Sequence, residues 1–383
     1  MHFEFSTTGR IVFGNGTIKE LPDYANLLGK NSLIVCGKIT GRIDSILDSL
    51  NSAGIKTAVF SVSTEPTIPL VLQGIHEARS KGCDLVIGIG GGSVIDAGKA
   101  ISAMMTNSGE LTEYLEVIGQ GKSITKVPAP YIAVTTTSGT GAEVTCNAVL
   151  ASPEHKVKVS MRSPLMYPRI AVVDPELTYS MPPAITASTG LDALTQLIEA
   201  FVSNRANPLT DGICIEGLKR GSRSIYIAYT SGDKSAREEM CIASLFSGLA
   251  LANAKLGAVH GLAAPLGGML SAPHGIICAR LLPFVIGMNV DVLIRKDPSS
   301  DSLKRFDTVA KILTRDANAS AIDAVKWTRN ICIEMKIAPL KELGLKESHI
   351  PEIVKQAKKS SSTKGNPVEL TDEQLAQILQ RAM

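Results

Sequence analysis

The first half of this chain alternates short, mostly apolar runs with helical stretches, and that alternation limits the fold more than any other feature. Leu33-Ile34-Val35-Cys36, Thr57 to Ser61, Leu85 to Ile89, Tyr131 to Val134 and Ile170 to Val173 are too short for buried helices. They are also too uniformly apolar for strands with one wet face. Such strands, separated by amphipathic segments like Val71 to Lys81, form a parallel sheet covered by helices on both faces. Beyond Pro182-Pro183 the character changes. Ala187 to Val202, Ala236 to Leu251 and Leu303 to Leu313 keep a helical period, and convincing strands vanish. The chain is predicted to form an α/β domain over residues 1–182 and an all-helical domain over 183–383. A length of 383 residues is long for one core and agrees with two.

Two loops suit a phosphate ligand. Ile89-Gly90-Gly91-Gly92-Ser93 ends an apolar run and opens a helix that carries Asp96 and Lys99. Glycines there let the backbone approach a phosphate, and the open N–H groups of a helix start attract its charge. Gly88-x-Gly90-x-x-Ser93 departs from GxGxxG at its serine, so a tight turn without a ligand is the competing reading. Thr135-Thr136-Thr137-Ser138-Gly139-Thr140-Gly141 also follows an apolar run, and a helical segment is expected after it. In a Rossmann-like, doubly wound sheet both loops lie outside the carboxyl ends of the strands, where ligands bind.

The second half offers a metal set. Asp192 and Gln196 lie four apart on an apolar-periodic helix and share one face. His260 and His274 follow downstream, each succeeded by a glycine. One carboxylate and two imidazoles make a plausible divalent-ion set with positions left open. From spacing alone, satisfied structural histidines and a backbone-paired helix carboxylate explain the same residues.

Composition removes other classes. A net charge of +3 and 4% aromatic residues argue against nucleic-acid binding. Seven scattered cysteines without a CxxC pair read as buried thiols in a reducing compartment. The N-terminus lacks a basic head before an apolar core. The apolar stretch from Leu256 to Met288 is interrupted by His260, Pro265, Pro273, His274 and Arg280, which argues against a membrane span. A cytoplasmic protein is the expectation.

The motifs GGGSVIDAGKA (90–100), TTTSGTGAEVT (135–145), PPAITASTGLDALTQLIEA (182–200) and the segment from LGAVHGLAAPLGG to APHG (256–275) resemble the iron-containing (group III) alcohol dehydrogenases, which share the dehydroquinate synthase-like fold. The resemblance covers essentially the whole chain. It implies an N-terminal nucleotide-binding domain, a C-terminal helical domain with metal and substrate, and an active site in the cleft between them. It implies that Gly91, Gly92, Ser93 and Asp96 hold the pyrophosphate and its surroundings, that Thr136, Thr137 and Thr140 line the rest of the cofactor, and that Lys158 lies near it. It places Asp192, His260 and His274 on three of four metal-ligand positions, with Gln196 on the fourth in place of histidine.

Other departures are Ala264, where a histidine of the proton path usually stands, and Cys278 and Phe284, which replace Asn and His. The glycerol dehydrogenases resemble a set of one Asp and two His around zinc; the maleylacetate reductases resemble a metal-free alternative. The metal, iron or zinc, is left open by the residues. NAD-using members carry an aspartate at the position of Gly37. Here Lys38 follows instead, so NADP(H) is expected in preference to NAD(H). The expected activity is hydride transfer between the nicotinamide and a small aldehyde, ketone or alcohol. A lyase of the dehydroquinate synthase type and a catalytically impaired homologue are the alternatives. A homodimer or larger homo-oligomer is expected, through a strand around Arg10 to Gly14.

Overall fold

The computed structural model describes residues 2–38, 41–155, 157–270 and 272–383. The chain forms two compact units, one of Thr7–Thr137 and Gly141–Ser180, the other of Met1–Ser6, Ser138–Thr140 and Met181–Met383.

The first unit is built on a six-stranded parallel sheet. Its strands are β1 (Arg10–Phe13), β2 (Asn31–Cys36), β3 (Lys56–Ser61), β4 (Leu85–Gly90), β5 (Tyr131–Thr135) and β8 (Ile170–Val173), in the order β1-β8-β5-β4-β2-β3. The five apolar runs of the sequence are β2, β3, β4, β5 and β8. Their side chains fill two cores, one on each face of the sheet. From β2 the chain moves outward to β3 and then returns to the other side of β2 as β4. That reversal puts a topological switch point between β2 and β4, where ligands of such sheets bind.

The helices of this unit are α1 (Leu21–Asn26), α2 (Gly41–Ser52), α3 (Ile68–Ser80) and α4 (Gly92–Thr106). Thr67 starts α3 by accepting the Leu70 amide on its hydroxyl at 3.3 Å. Helix α4 packs tightly on the sheet around the Tyr131 ring. A Cβ on Gly88 would lie 2.2 Å from Tyr131 Oη, and one on Gly98 2.6 Å from it. Two glycines of the sequence motif are therefore required by packing.

Strand β1 is an edge strand of the sheet and pairs on one side with β8 of its own chain, from Arg10 on Ile170 to Phe13 on Val173. A two-stranded antiparallel hairpin, β6 (Asn147–Ser152) and β7 (Val157–Arg162), is an additional element. No α-helix follows the second loop; a single 3-10 turn spans Ala142–Val144 after Gly141, whose φ of 60° turns the backbone left-handed.

The second unit is helical: α5 (Pro183–Val202), α6 (Pro208–Thr230), α7 (Lys234–Ala254), α8 (Ala258–Met269), α9 (His274–Lys296), α10 (Asp301–Thr314), α11 (Ala321–Glu334), α12 (Ile350–Lys359) and α13 (Asp372–Ala382). Reciprocal capping boxes at Asn207/Thr210 and Thr371/Gln374 start α6 and α13. Helix α5 is buried almost all round and forms the centre of the unit.

Helix α9 is long and apolar enough to cross a membrane, unlike the interrupted segment expected from the sequence, and most of it is buried in the unit's core. It continues through Arg280 and Pro283. Pro283 lacks the N–H that would bond the Ala279 carbonyl; the Cys332 thiol donates to that oxygen instead, at 3.2 Å. The Arg280 guanidinium Nε donates to the Ala382 carbonyl at 2.8 Å.

Candidate active site

A run of polar side chains crosses the apolar helix α5. Asp192, Gln196 and Glu199 follow the i, i+4, i+7 spacing of one helix face, and they are only 2%, 4% and 4% exposed. Carboxylates this deep are unfavourable unless something pairs with them. Their partners come from α8 and α9.

The glycine after each histidine sets a close approach, Gly275 to α5 and Gly261 to the turn at Thr363. A Cβ on Gly275 would sit 2.1 Å from the Ser188 carbonyl oxygen, so only glycine lets the start of α9 approach α5, one turn before Asp192. A Cβ on Gly261 would lie 1.9 Å from Thr363 Oγ1, which holds α8 equally tightly. The His260 and His274 ring centroids are then 5.5 Å apart.

Glu199 organises the first of these rings. Its Oε1 accepts the Val259 amide at 2.7 Å, and its Oε2 lies 2.6 Å from His260 Nδ1. The carboxylate thus complements the N-terminus of α8 and takes the Nδ1 proton. His260 Nε2 is left facing inward toward Asp192, the nitrogen that a metal would take in place of its proton. Gln196 does the same for Asp192: its Nε2 donates to Asp192 Oδ2 at 3.0 Å, while its Oε1 accepts the Ser247 hydroxyl at 2.7 Å.

Two buried atoms have no hydrogen-bond partner, Asp192 Oδ1 and His260 Nε2, and they face each other at 3.4 Å. Cys278, four residues after His274 on α9, completes the group. Ligand atoms of Asp192, His260, His274 and Cys278 all lie within 4.8 Å of one another. Burial raises the Asp192 carboxyl, but the His260 contact and the charges of His274 and His260 outweigh it and bring it below the ordinary value. Burial opposes a charge on His260, yet Cys278, Asp192 and Glu199 carry the imidazole well above its ordinary value. Such a pocket attracts positive charge, and a divalent ion satisfies both orphaned atoms. The residues fit a metal.

In the α/β unit, the loops predicted to bind nucleotide lie at the ends of neighbouring strands. Thr136 donates its amide to the Gly90 carbonyl at 3.0 Å. A Cβ on Gly91 would come within 3.2 Å of Thr137 Oγ1, so the groove there depends on the missing side chain. The N-cap residue of α4, Gly91, makes no side-chain cap hydrogen bond to the amides of the first turn. Gly37 and the exposed Lys38 follow β2, the strand beside β4.

Other expected residues have structural partners. Asp96 accepts the Val149 amide at 3.0 Å and pairs with the buried Lys99 at 3.2 Å, tying α4 to the hairpin. Lys158 on β7 pairs with Glu65 at 2.5 Å. Thr140 belongs to the helical unit, in the short segment where Ser138 Oγ lies 3.1 Å from Cys241 Sγ.

Sequence reasoning missed Glu199 as a partner and Cys278 as a candidate ligand. The signals were present: Glu199 is two turns beyond Asp192, and Cys278 is one turn beyond His274.

The chain is similar to known proteins along nearly its whole length. The sequence model of the family described as "Iron-containing alcohol dehydrogenase" matches residues 8–175, and that of "Fe-containing alcohol dehydrogenase family, C-terminal" matches residues 186–383. Alcohol dehydrogenase 4 of Saccharomyces cerevisiae (strain YJM789) is 35% identical over 379 residues, covering 97% of this chain and 96% of that protein. The 1,3-propanediol dehydrogenase of Klebsiella pneumoniae is 34% identical, covering 99% and 98%. A solved 1,3-propanediol oxidoreductase superposes with a TM-score of 0.92 at 33% identity, over 100% of both chains.

Proposed function

Because the chain belongs to the iron-containing alcohol dehydrogenase family, we propose that it interconverts a small aldehyde or ketone with its alcohol using NADP(H) in preference to NAD(H), with a divalent ion at Asp192, His260 and His274. It is an NAD(P)-dependent oxidoreductase acting on CH–OH groups.

The orphaned pair Asp192 Oδ1 and His260 Nε2 carries the metal reading. A metal-free reductase of the maleylacetate type would instead pair these two atoms through a proton on His260, across the 3.4 Å between them; a divalent ion takes the place of that proton and satisfies both atoms. Zinc or iron bound there supplies Lewis-acid polarisation of the carbonyl and stabilises negative charge on its oxygen as hydride arrives. Glu199 holds the His260 tautomer, and Gln196 orients the Asp192 carboxylate. Gly91, Gly92 and Ser93 present backbone donors to the pyrophosphate, with Thr136 and Thr137 beside them.

Cofactor choice rests on the end of β2, where Cys36-Gly37-Lys38 has no carboxylate to repel a 2′-phosphate and offers a cation instead. None of the seven cysteines forms a disulfide, which suits the cytoplasm. A homodimer or larger assembly completes the proposal, and light scattering tests it.

The deciding experiment combines metal content with initial-rate kinetics, on protein purified without chelator. Near-stoichiometric zinc or iron and a higher kcat/KM with NADPH are expected. Metal-free protein that still oxidises NADPH with an aldehyde sinks the metal assignment, and a higher kcat/KM with NADH sinks the cofactor assignment. A lyase regenerates its nicotinamide in each cycle, so it would show no steady change in reduced-cofactor absorbance.

A further inference from the structure

Gln196 is engaged at both ends of its amide, by Asp192 and by the buried Ser247 hydroxyl. An amide oxygen that already accepts a hydrogen bond at 2.7 Å is a poor candidate for a ligand. Cys278 enters the cluster from α9, is fully buried, and places its Sγ 3.4 Å from His274 Nε2.

We propose that Cys278 is a metal ligand, so that this chain holds its divalent ion through one carboxylate, two imidazoles and one thiolate. The proposal rests on the reading above that Asp192, His260 and His274 bind a cation.

The geometry carries it. Ions bound tetrahedrally at about 2.0–2.3 Å have ligand atoms roughly 3.3–3.8 Å apart. Two edges of the cluster already have such a length, Asp192 Oδ1 to His260 Nε2 at 3.4 Å and Cys278 Sγ to His274 Nε2 at 3.4 Å. A thiol–imidazole hydrogen bond would account for the second distance. A proton on His260 would account for the first, but one ion accounts for all four ligand atoms lying within 4.8 Å of one another.

Charge points the same way. A carboxylate and a thiolate together neutralise a dication, so the ligand set itself is formally neutral inside an apolar helical core, where net charge is costly, and the one further carboxylate, Glu199, is hydrogen-bonded to His260 and the Val259 amide. Sulfur also changes the metal preference. Thiolate is a soft ligand and suits zinc better than iron(II), which lies below zinc in the common affinity order. The site is therefore a zinc site, with Gln196 as a positioning residue for Asp192.

The test uses the full-length chain, stripped of metal and reloaded anaerobically with one equivalent of cobalt(II), a spectroscopic probe for zinc. A sulfur-to-cobalt charge-transfer band in the near ultraviolet is expected alongside the visible d–d bands. In Cys278→Ser the charge-transfer band should vanish and cobalt affinity should fall at least tenfold, since even supporting residues around a metal contribute about 10–100-fold.

Cobalt bound with d–d bands but no charge-transfer band overturns the Cys278 assignment and leaves the metal site standing. A band that persists in Cys278→Ser overturns it as well. Failure to bind cobalt at all overturns both this inference and the metal reading beneath it. If the serine variant does not fold, the wild-type spectrum decides alone, because Cys278 is the one cysteine of the cluster among the described residues.

Discussion

Glu199→Gln preserves size and removes one acceptor, at a residue that uses both of its oxygens. In the native chain Oε1 accepts the Val259 amide at 2.7 Å, and Oε2 takes the His260 Nδ1 proton at 2.6 Å. Glutamine has one oxygen for these two donors, and Gly257, whose Cβ would sit 2.8 Å from Glu199 Oε1, leaves little room to adjust. If the amide NH2 faces His260, the imidazole loses its orienting acceptor or changes tautomer and presents Nε2–H to the metal. If it faces Val259, the first turn of α8 meets a donor where it had a carboxylate.

Hydrogen bonds to charged groups contribute about 1.5–3 kcal/mol. At about 1.4 kcal/mol per decade, the first arrangement lowers metal affinity roughly 10- to 100-fold. The second leaves affinity near normal and lowers stability by a similar energy. Competition with a chromophoric zinc chelator reads the first outcome, and denaturant unfolding of the metal-free protein reads the second. Unchanged values in both assays would refute the role assigned to Glu199.

Two further predictions concern the α/β unit. Glu143 is buried, neither carboxylate oxygen finds a well-formed hydrogen bond, and burial pushes its carboxyl from 4.5 up to about 7 against smaller opposing pulls from its own backbone amide and Lys99. A group raised on folding contributes stability that is fully present below 4.5 and is lost as pH rises through 7, here about 3 kcal/mol. Glu143→Gln should abolish that loss, so wild type and variant should diverge across this window in denaturant melts; parallel pH profiles would count against the reading. Lys38→Ala should raise KM for NADPH about tenfold, the effect of one lost charge-assisted hydrogen bond of roughly 1.5 kcal/mol, and leave KM for NADH unchanged. An equal change with both cofactors would mean that Lys38 does not meet the 2′-phosphate.

Local pattern was enough for the strands β2, β3, β4, β5 and β8, for the helical second half, and for the glycine-rich turn before α4. Residues two or three to four apart share a face of a strand or helix whatever surrounds them, so period and punctuation can be read from spacing. Asp192, His260 and His274 were legible as candidates for the same reason, although spacing alone could not raise them above ordinary buried residues.

Long-range contacts decided the rest. Strand β1 is defined by its pairing with β8, some 160 positions away. The hairpin β6–β7 is tied to α4 through Asp96 and Val149. Where α9 passes Pro283, the carbonyl left without its helical donor is met by a thiol offered by α11. The site is the clearest case. Gly275 against Ser188 and Gly261 against Thr363 set how closely α9 and α8 approach their neighbours. At that separation Glu199 reaches His260 and Cys278 joins the ligand atoms, while Gln196 meets Ser247 of α7. The sequence by itself determined which residue types and which periods were available; the close packing of α5 against α8 and α9, 61 positions apart at Glu199 and His260, determined which atoms converge.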